Sequence, residues 1–122
     1  MSMQNEKTSF EGRKDDSGKI LAGILYEDFP HALTAVAEVA SFGAKKYARG
    51  NWKNVLAGIE RYNDAMHRHL LAHHRGEKVD TESELMHLAH AAWNALAVLE
   101  LVIKEQTQEN AIIRNINGEV IL

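Results

Sequence analysis

A carboxylate, two imidazoles and an amide (Glu84, His87, His90 and Asn94) recur at spacings of three, three and four residues between Asp80 and Asn94. At about 100° per residue this spacing puts all four on one side of a helix otherwise made of Leu, Ala and Trp. Such groups on an apolar helix need partners, and a divalent cation or a polyphosphate would supply them. Carboxylate oxygen and imidazole nitrogen both suit Mn or Zn, whereas Mg favours oxygen. Glu84 with His87, or His87 with His90, stand one turn apart and could grip a single ion. Asn94 could then bond a base or a phosphate. The alternative is that the two imidazoles only bond backbone or carboxylate groups across a helix interface.

Glu38, Ser41 and Lys45 form a second stripe, at i, i+3 and i+7. Its carboxylate could bind metal or position water, and its lysine could meet a phosphate. Alternatively Glu38 ends a solvated stripe, the usual place for an ionised residue. The run Phe42-Gly43-Ala44-Lys45-Lys46-Tyr47, followed by Arg49-Gly50-Asn51-Trp52, combines cations, small residues and aromatics. Together these could hold a nucleotide's phosphates and stack its base; otherwise they are an ordinary helix end with a Trp anchored in the core. Arg68 stands one turn from Asp64 and either pairs with it or reaches a neighbouring chain's substrate. Lys14, Asp15 and Lys19 are solvated charges unless the segment carrying them closes over a polyphosphate.

Three helices would position these groups. Pro30, the only proline, follows Asp28 as a first-turn proline follows an N-cap. From there to Tyr47, Leu33, Val36, Ala37, Ala40 and Ala44 line one face and Val39 and Phe42 another, so burial on more than one side is expected. A second helix is expected from Val55 to Arg75, with Asn54 as N-cap and Gly76 as the stop. Its inner stripe is Val55, Ile59, Tyr62, Met66 and Leu70, with His69 and His73 inward and His67 and His74 nearer the outer boundary. The third helix should open on the capping-box pattern Thr81-Glu82-Ser83-Glu84 and run to about Gln108. Ala111 to Ile116, then Asn117-Gly118, then Glu119 to Leu122 read as a β-hairpin on a type I′ turn. The expected fold is therefore all-α, a bundle of three main helices, with a flexible arm over residues 1–19, a helical domain over 20–108 and a short hairpin tail over 109–122.

The 122 residues suit one domain helped by self-association. A net charge of −3 writes in no general attraction to duplex nucleic acid or to an anionic membrane. The absence of cysteine removes disulfides, thiolate metal sites and cysteine nucleophiles. No apolar run approaches a membrane span and the first residues are unlike a signal peptide, so a cytoplasmic setting is expected. P-loop, Rossmann, H-E-x-x-H, nucleophile-elbow and His-Asp signatures are all missing.

Lys14-Asp15-Asp16-Ser17-Gly18-Lys19, the run from Val36 to Tyr47, Asn51-Trp52, Arg68-His69, Arg75-Gly76-Glu77, Asp80, Glu82-Ser83 and the run from His87 to Leu96 follow one another in order. This ordered set, over roughly residues 13–103, resembles the dATP/dGTP diphosphohydrolase N-terminal domain family common in phage genomes, related by proposal to MazG-like pyrophosphohydrolases. The resemblance implies a MazG-like helical domain. It would hydrolyse a purine deoxynucleotide, dATP or dGTP, to the monophosphate and pyrophosphate in the cytoplasm of a phage's host. It also implies a divalent cofactor, Mg or Mn, and a homo-oligomer. MazG-like enzymes hold metal through E-x-x-E and E-x-x-D motifs. Here Ala35 or Ser41 stands where a second acid beside Glu38 would lie, and Glu84 is followed by His87 and His90. On this reading Glu38 and Glu84 are catalytic, and Glu38, Glu84 and His87, with His69 or His90, hold metal. Lys19, Lys45, Lys46 and Arg68 hold phosphates, and Asn51, Trp52 or Asn94 address the base. A second reading is a non-catalytic protein that binds or sequesters a nucleotide. A third is a structural protein whose histidines fill a helical interface.

Overall fold

The computed structural model describes residues 11–116. Four α-helices and one 3-10 turn account for its regular structure: α1 (Gly23–Asp28), α2 (Pro30–Lys46), the turn Asn51–Asn54, α3 (Gly58–His74) and α4 (His87–Ile116). The described chain is all-α, with one isolated antiparallel bridge between Val79 and Met86. No helix among the described residues is long and apolar enough to cross a membrane. Residues 11–22 precede the first helix and are exposed.

α3 and α4 form the main contact and run antiparallel. A Cβ built on Gly58 would come within 3.1 Å of Leu101 Cδ1, while further along Tyr62 meets Trp93 and His69 meets His87. Glycine at 58 thus permits the close approach at that end. α2 crosses α4 near its start, where the Phe42 ring stands edge-on to His90 at 6.5 Å.

Helix boundaries follow local chemistry, and several differ from those expected. Asp28 closes α1 instead of capping α2. Phe29 is the break, because the following proline disfavours helical geometry there and has no N–H to continue the ladder. α2 packs one face only: Val39 is buried and Val36 and Phe42 half-buried, but Ala37 and Ala40 stay exposed. α3 begins at Gly58, not Val55, since Asn51–Asn54 form a tight turn and Ala57 takes a left-handed φ of 55° before the helix. That conformation costs about 1–2 kcal/mol for a residue with a Cβ. Gly76 ends α3 as its position suggested. With φ 96° it lets its N–H bond His73 O and the Glu77 N–H bond Ala72 O, the paired closure of a Schellman motif.

The largest displacement is at α4, which starts at His87, six residues after Thr81. The segment before it is a knot of hydrogen bonds. Asp80 Oδ2 accepts from the Ser83 N–H and from Ser83 Oγ, both at 2.9 Å. The Glu84 N–H bonds Asp80 O, the Asp80 N–H bonds Leu85 O, and the His87 N–H bonds Lys78 O. Asp80, one residue earlier than the expected cap, is thus the side chain that closes the turn, and helix cannot begin until the chain leaves it. Glu84 consequently sits off the helix, exposed, at φ 62°.

At the other end the expected hairpin does not form over 111–116, which continue α4 as helix. Each residue added to an existing helix makes one hydrogen bond, whereas a strand there would need a partner. The remainder of that hairpin, Asn117 to Leu122, lies outside the described residues. The apolar core is thin, made of Val39, Ala72, Ala89, Ala91 and Ala97, and no large side chain among the described residues is fully buried.

Candidate functional site

Three imidazoles converge where α3 meets the start of α4. His69 stacks on His90, with ring centres 4.5 Å apart and planes 9° from parallel. Its Nδ1 lies 2.8 Å from His87 Nδ1. His87 and His90 are 7% and 8% exposed, so these are interior groups. Burial, reinforced by the neighbouring imidazoles His90 and His87, pulls the His69 pKa down to about 4. Burial lowers that of His90 as well. Both rings are therefore neutral near pH 7 and keep a lone pair for bonding.

Asp80 and Ser83 orient the cluster. Ser83 Oγ lies 2.6 Å from His90 Nε2, 2.9 Å from Asp80 Oδ2 and 3.1 Å from the Leu85 N–H. One arrangement satisfies every group: the hydroxyl donates to the carboxylate and accepts from Leu85 N–H and from His90 Nε2–H. His90 Nδ1 then keeps its lone pair. Burial pushes the Asp80 carboxyl up, but the two Ser83 hydrogen bonds and the attraction of His90 and His69 outweigh it, leaving its pKa below the ordinary value. Asp80 is thus an anion beside neutral imidazoles. His69, Asp80 and His87 each present one ligand atom, all within 4.8 Å of one another, a set that fits a divalent ion.

Next to the cluster a cleft of ≈ 1000 Å³ opens between α2, the 3-10 turn, α3 and α4, with His69, His90 and Asn94 in its wall. Lys46, Arg49, Arg61 and Arg68 border it, against a single carboxylate among the described residues, Asp64. Both tryptophans, Tyr47, Tyr62 and Phe42 supply flat apolar surface. The 3-10 turn is fixed there because Tyr62 Oη donates to Trp52 O at 2.7 Å, and Trp52, Tyr62 and Trp93 meet edge to face. Lys46 also bonds Glu82, whose carboxylate holds the ammonium above the ordinary lysine pKa and ties α2 to the Asp80 turn.

The structure therefore gathers His69, His87 and His90 into the cluster and Lys46, Asn51, Trp52, Arg68 and Asn94 around the cleft. Asn94, 5% exposed, donates Nδ2 to His90 O at 2.8 Å, and Arg68 makes no ion pair with Asp64. The expected stripe loses Glu84, which stands in the turn before the helix. Glu38, Glu84, Lys45 and Lys19 are all exposed, and none of them borders the cleft or belongs to the ligand set. His73 is half-buried as expected, with Nδ1 buried and lacking a hydrogen bond. His67 and His74 are exposed. Asp80, Ser83, Arg61 and Trp93 are members that the helical spacing alone did not single out, and Tyr62 was read from it only as an inward packing residue. The spacing Asp80-x-x-Ser83, a side-chain acceptor three residues before its donor, was the available signal for the turn.

Cations and aromatic rings around an open cleft, with neutral imidazoles in its wall, have the make-up of a site for a planar molecule carrying negative charge. The chain belongs to the family described as dATP/dGTP diphosphohydrolase, N-terminal, whose model matches residues 9–111. It is also similar to the dATP/dGTP diphosphohydrolase of Salmonella phage PMBT28, 33% identical over 99 residues. That match covers 81% of this chain and 32% of the phage protein, so the chain spans about a third of its relative's length. No solved structure matches the chain.

Proposed function

We propose that the cleft binds a purine deoxynucleoside triphosphate, dATP or dGTP, and that the chain hydrolyses it to the monophosphate and pyrophosphate with a divalent ion, Mg or Mn. One observation carries this reading: a chain of net charge −3 collects four cations around one aromatic-lined cleft that abuts a cluster of three imidazoles. Arg49, Arg61 and Arg68 hold phosphate oxygens through paired N–H donors, with Lys46 as a point charge. Trp52, Trp93 and Tyr62 supply the surface for the base, and Asn51 and Asn94 supply its polar contacts. A divalent ion at the imidazole cluster would neutralise triphosphate charge and lower the pKa of a bound water. His90, its Nε2 tied to Ser83, would have Nδ1 free to take a proton from that water. The water oxygen bonds the α-phosphorus, the bond to the α,β-bridging oxygen breaks, and pyrophosphate leaves. The chain is on this view a divergent MazG-like pyrophosphohydrolase in which imidazoles stand in for paired acids. The description of the family and the name of the phage relative support it.

Incubation of the purified chain with each deoxynucleoside triphosphate and Mn or Mg tests it. Monophosphate and pyrophosphate should appear in equal amounts, fastest with dATP or dGTP. The exposure of Glu38 and Glu84 favours a second reading, nucleotide binding without cleavage, because the one carboxylate in the ligand set among the described residues is few for Mg. Saturable binding with no turnover would select it, and neither binding nor turnover would end both.

We also infer a homo-oligomer, in the cytoplasm of a phage host. Leu96, Leu99 and Ile103, 52%, 56% and 49% exposed, form an apolar stripe on α4 at i, i+3 and i+7 beside a thin core. Sedimentation should find the wild type at a multiple of 13.7 kDa and Leu99→Glu at or near that mass. A wild type that stays monomeric at all concentrations would rule this out.

A further inference from the structure

We infer that His69, Asp80 and His87 form a site for a borderline transition ion of the zinc and cobalt class, one that prefers imidazole nitrogen to an all-oxygen shell. This replaces the Mg or Mn of the proposed function with another ion class at the same cluster and rests on that reading for its role, but its geometry stands by itself.

The three ligand atoms are already gathered within 4.8 Å. They come from two parts of the chain, α3 and the segment running from the Asp80 turn into α4, which packing brings together. The two Nδ1 atoms face one another at 2.8 Å. An ion held at roughly 2.0–2.1 Å from each imidazole nitrogen needs them only a few tenths of an ångström further apart. Without an ion, that pair must share one proton between two lone pairs; with one, both lone pairs point inward as ligands do.

The outer partners match as well. His87 Nε2 lies 3.8 Å from Glu77 Oε2, on the ring side away from His69. Metal-bound imidazoles commonly turn their second nitrogen toward a carboxylate in this way, which fixes the tautomer and raises ligand basicity. Asp80 is in turn held by the Ser83 N–H and Oγ. Two nitrogens and one oxygen give three protein ligands, the number that leaves a fourth position open on zinc. His69 also borders the cleft, so an ion held by it would lie beside the space proposed for the anion. Mg, which demands near-octahedral oxygen, is poorly served by the same atoms.

The test uses the full chain, stripped of metal by chelation, then titrated with ZnCl2, CoCl2 or MgCl2. One Zn or Co per chain should bind, Co giving the intense visible bands of a low-coordinate site, with affinity at least a hundredfold above that for Mg. Asp80→Asn and His87→Gln should each weaken Zn binding tenfold or more. His67→Gln, at an exposed histidine that bonds only Asn63 O of its own helix, should bind like the wild type. Circular dichroism confirms that each variant is folded, and the wild-type titration decides the matter even if one is not. No saturable Zn or Co binding overturns the inference, as does binding that neither variant weakens. The two readings separate cleanly. Hydrolysis with Mg and no Zn or Co site would leave the activity standing and the ligand set wrong. A bound ion with no hydrolysis would do the reverse.

Discussion

Arg68→Glu should weaken nucleotide binding about a hundredfold or more while moving the melting temperature by no more than a few degrees. The guanidinium borders the cleft, is exposed, and takes part in no hydrogen bond or ion pair among the described residues. Its removal therefore breaks nothing that holds the fold, and surface changes of that kind stay within about 0.5 kcal/mol. Against a phosphate it would make charge-assisted hydrogen bonds worth roughly 1.5–3 kcal/mol. A carboxylate in its place adds repulsion, and about 2.7 kcal/mol in total is already a hundredfold. Titration with a non-hydrolysable dGTP analogue measures the loss. Arg68→Lys should fall between the two, because it keeps the charge but not the two-pronged geometry. The affinity of the wild type should also fall more steeply with salt than that of Arg68→Glu. Affinities within threefold of each other would remove Arg68 from the site and take the phosphate reading of the cleft with it.

Periodicity read α2 and α3, the body of α4 and the inward histidines from the chain because burial of one face at 3.6-residue spacing is a local property. Val55, Ile59, Tyr62, Met66 and Leu70 are all half-buried, and His69 meets His87 and His90. What periodicity could not supply was where α4 begins. The sequence from Asp80 to Glu84 offers two competing turns, Thr81 with Glu84 as a helix cap or Asp80 with Ser83 as a closed loop. The second prevails through backbone bonds to Lys78 and Leu85, partners that no spacing rule ranks. That one choice moves Glu84 out of the cluster and brings Asp80 into it. The tail failed for a related reason: Asn117-Gly118 signals a turn, but Ala111 to Ile116 can extend an existing helix with no new partner. Lys19 and Lys45 illustrate a third limit. A cation's type says what it can bind, yet only the placement of α2 and the 3-10 turn selects Lys46, Arg49, Arg61 and Arg68 as the group that shares a cleft.

Trp93→Ala should destabilise the fold by about 3 kcal/mol, the largest single-residue stability effect expected outside the imidazole cluster. Trp93 is half-buried on α4 and meets Trp52 and Tyr62 edge to face, each with ring centres 5.6 Å apart. Trp→Ala in a packed core costs roughly 3–5 kcal/mol, and partial exposure places this site at the low end. Each edge-to-face pair contributes about 0.5–1.5 kcal/mol of that beyond area burial. Among the described residues the buried apolar core holds only Val39 and four alanines, so little else there can take over the contact. Urea denaturation would read the loss as a lower midpoint, and Trp93→Phe should recover part of it. Tyr62→Phe, which removes only the hydrogen bond to Trp52 O, should cost about 1 kcal/mol. With Trp93 gone, the 3-10 turn keeps its ties to Tyr62 of α3 but loses the Trp52–Trp93 contact with α4, so Asn51 and Trp52 are held less firmly in the cleft wall. Nucleotide affinity should therefore fall together with stability in Trp93→Ala, whereas in Arg68→Glu affinity falls alone. A Trp93→Ala protein that loses less than about 1 kcal/mol would mean that the aromatic triangle does not hold the turn, and the cleft would need another wall.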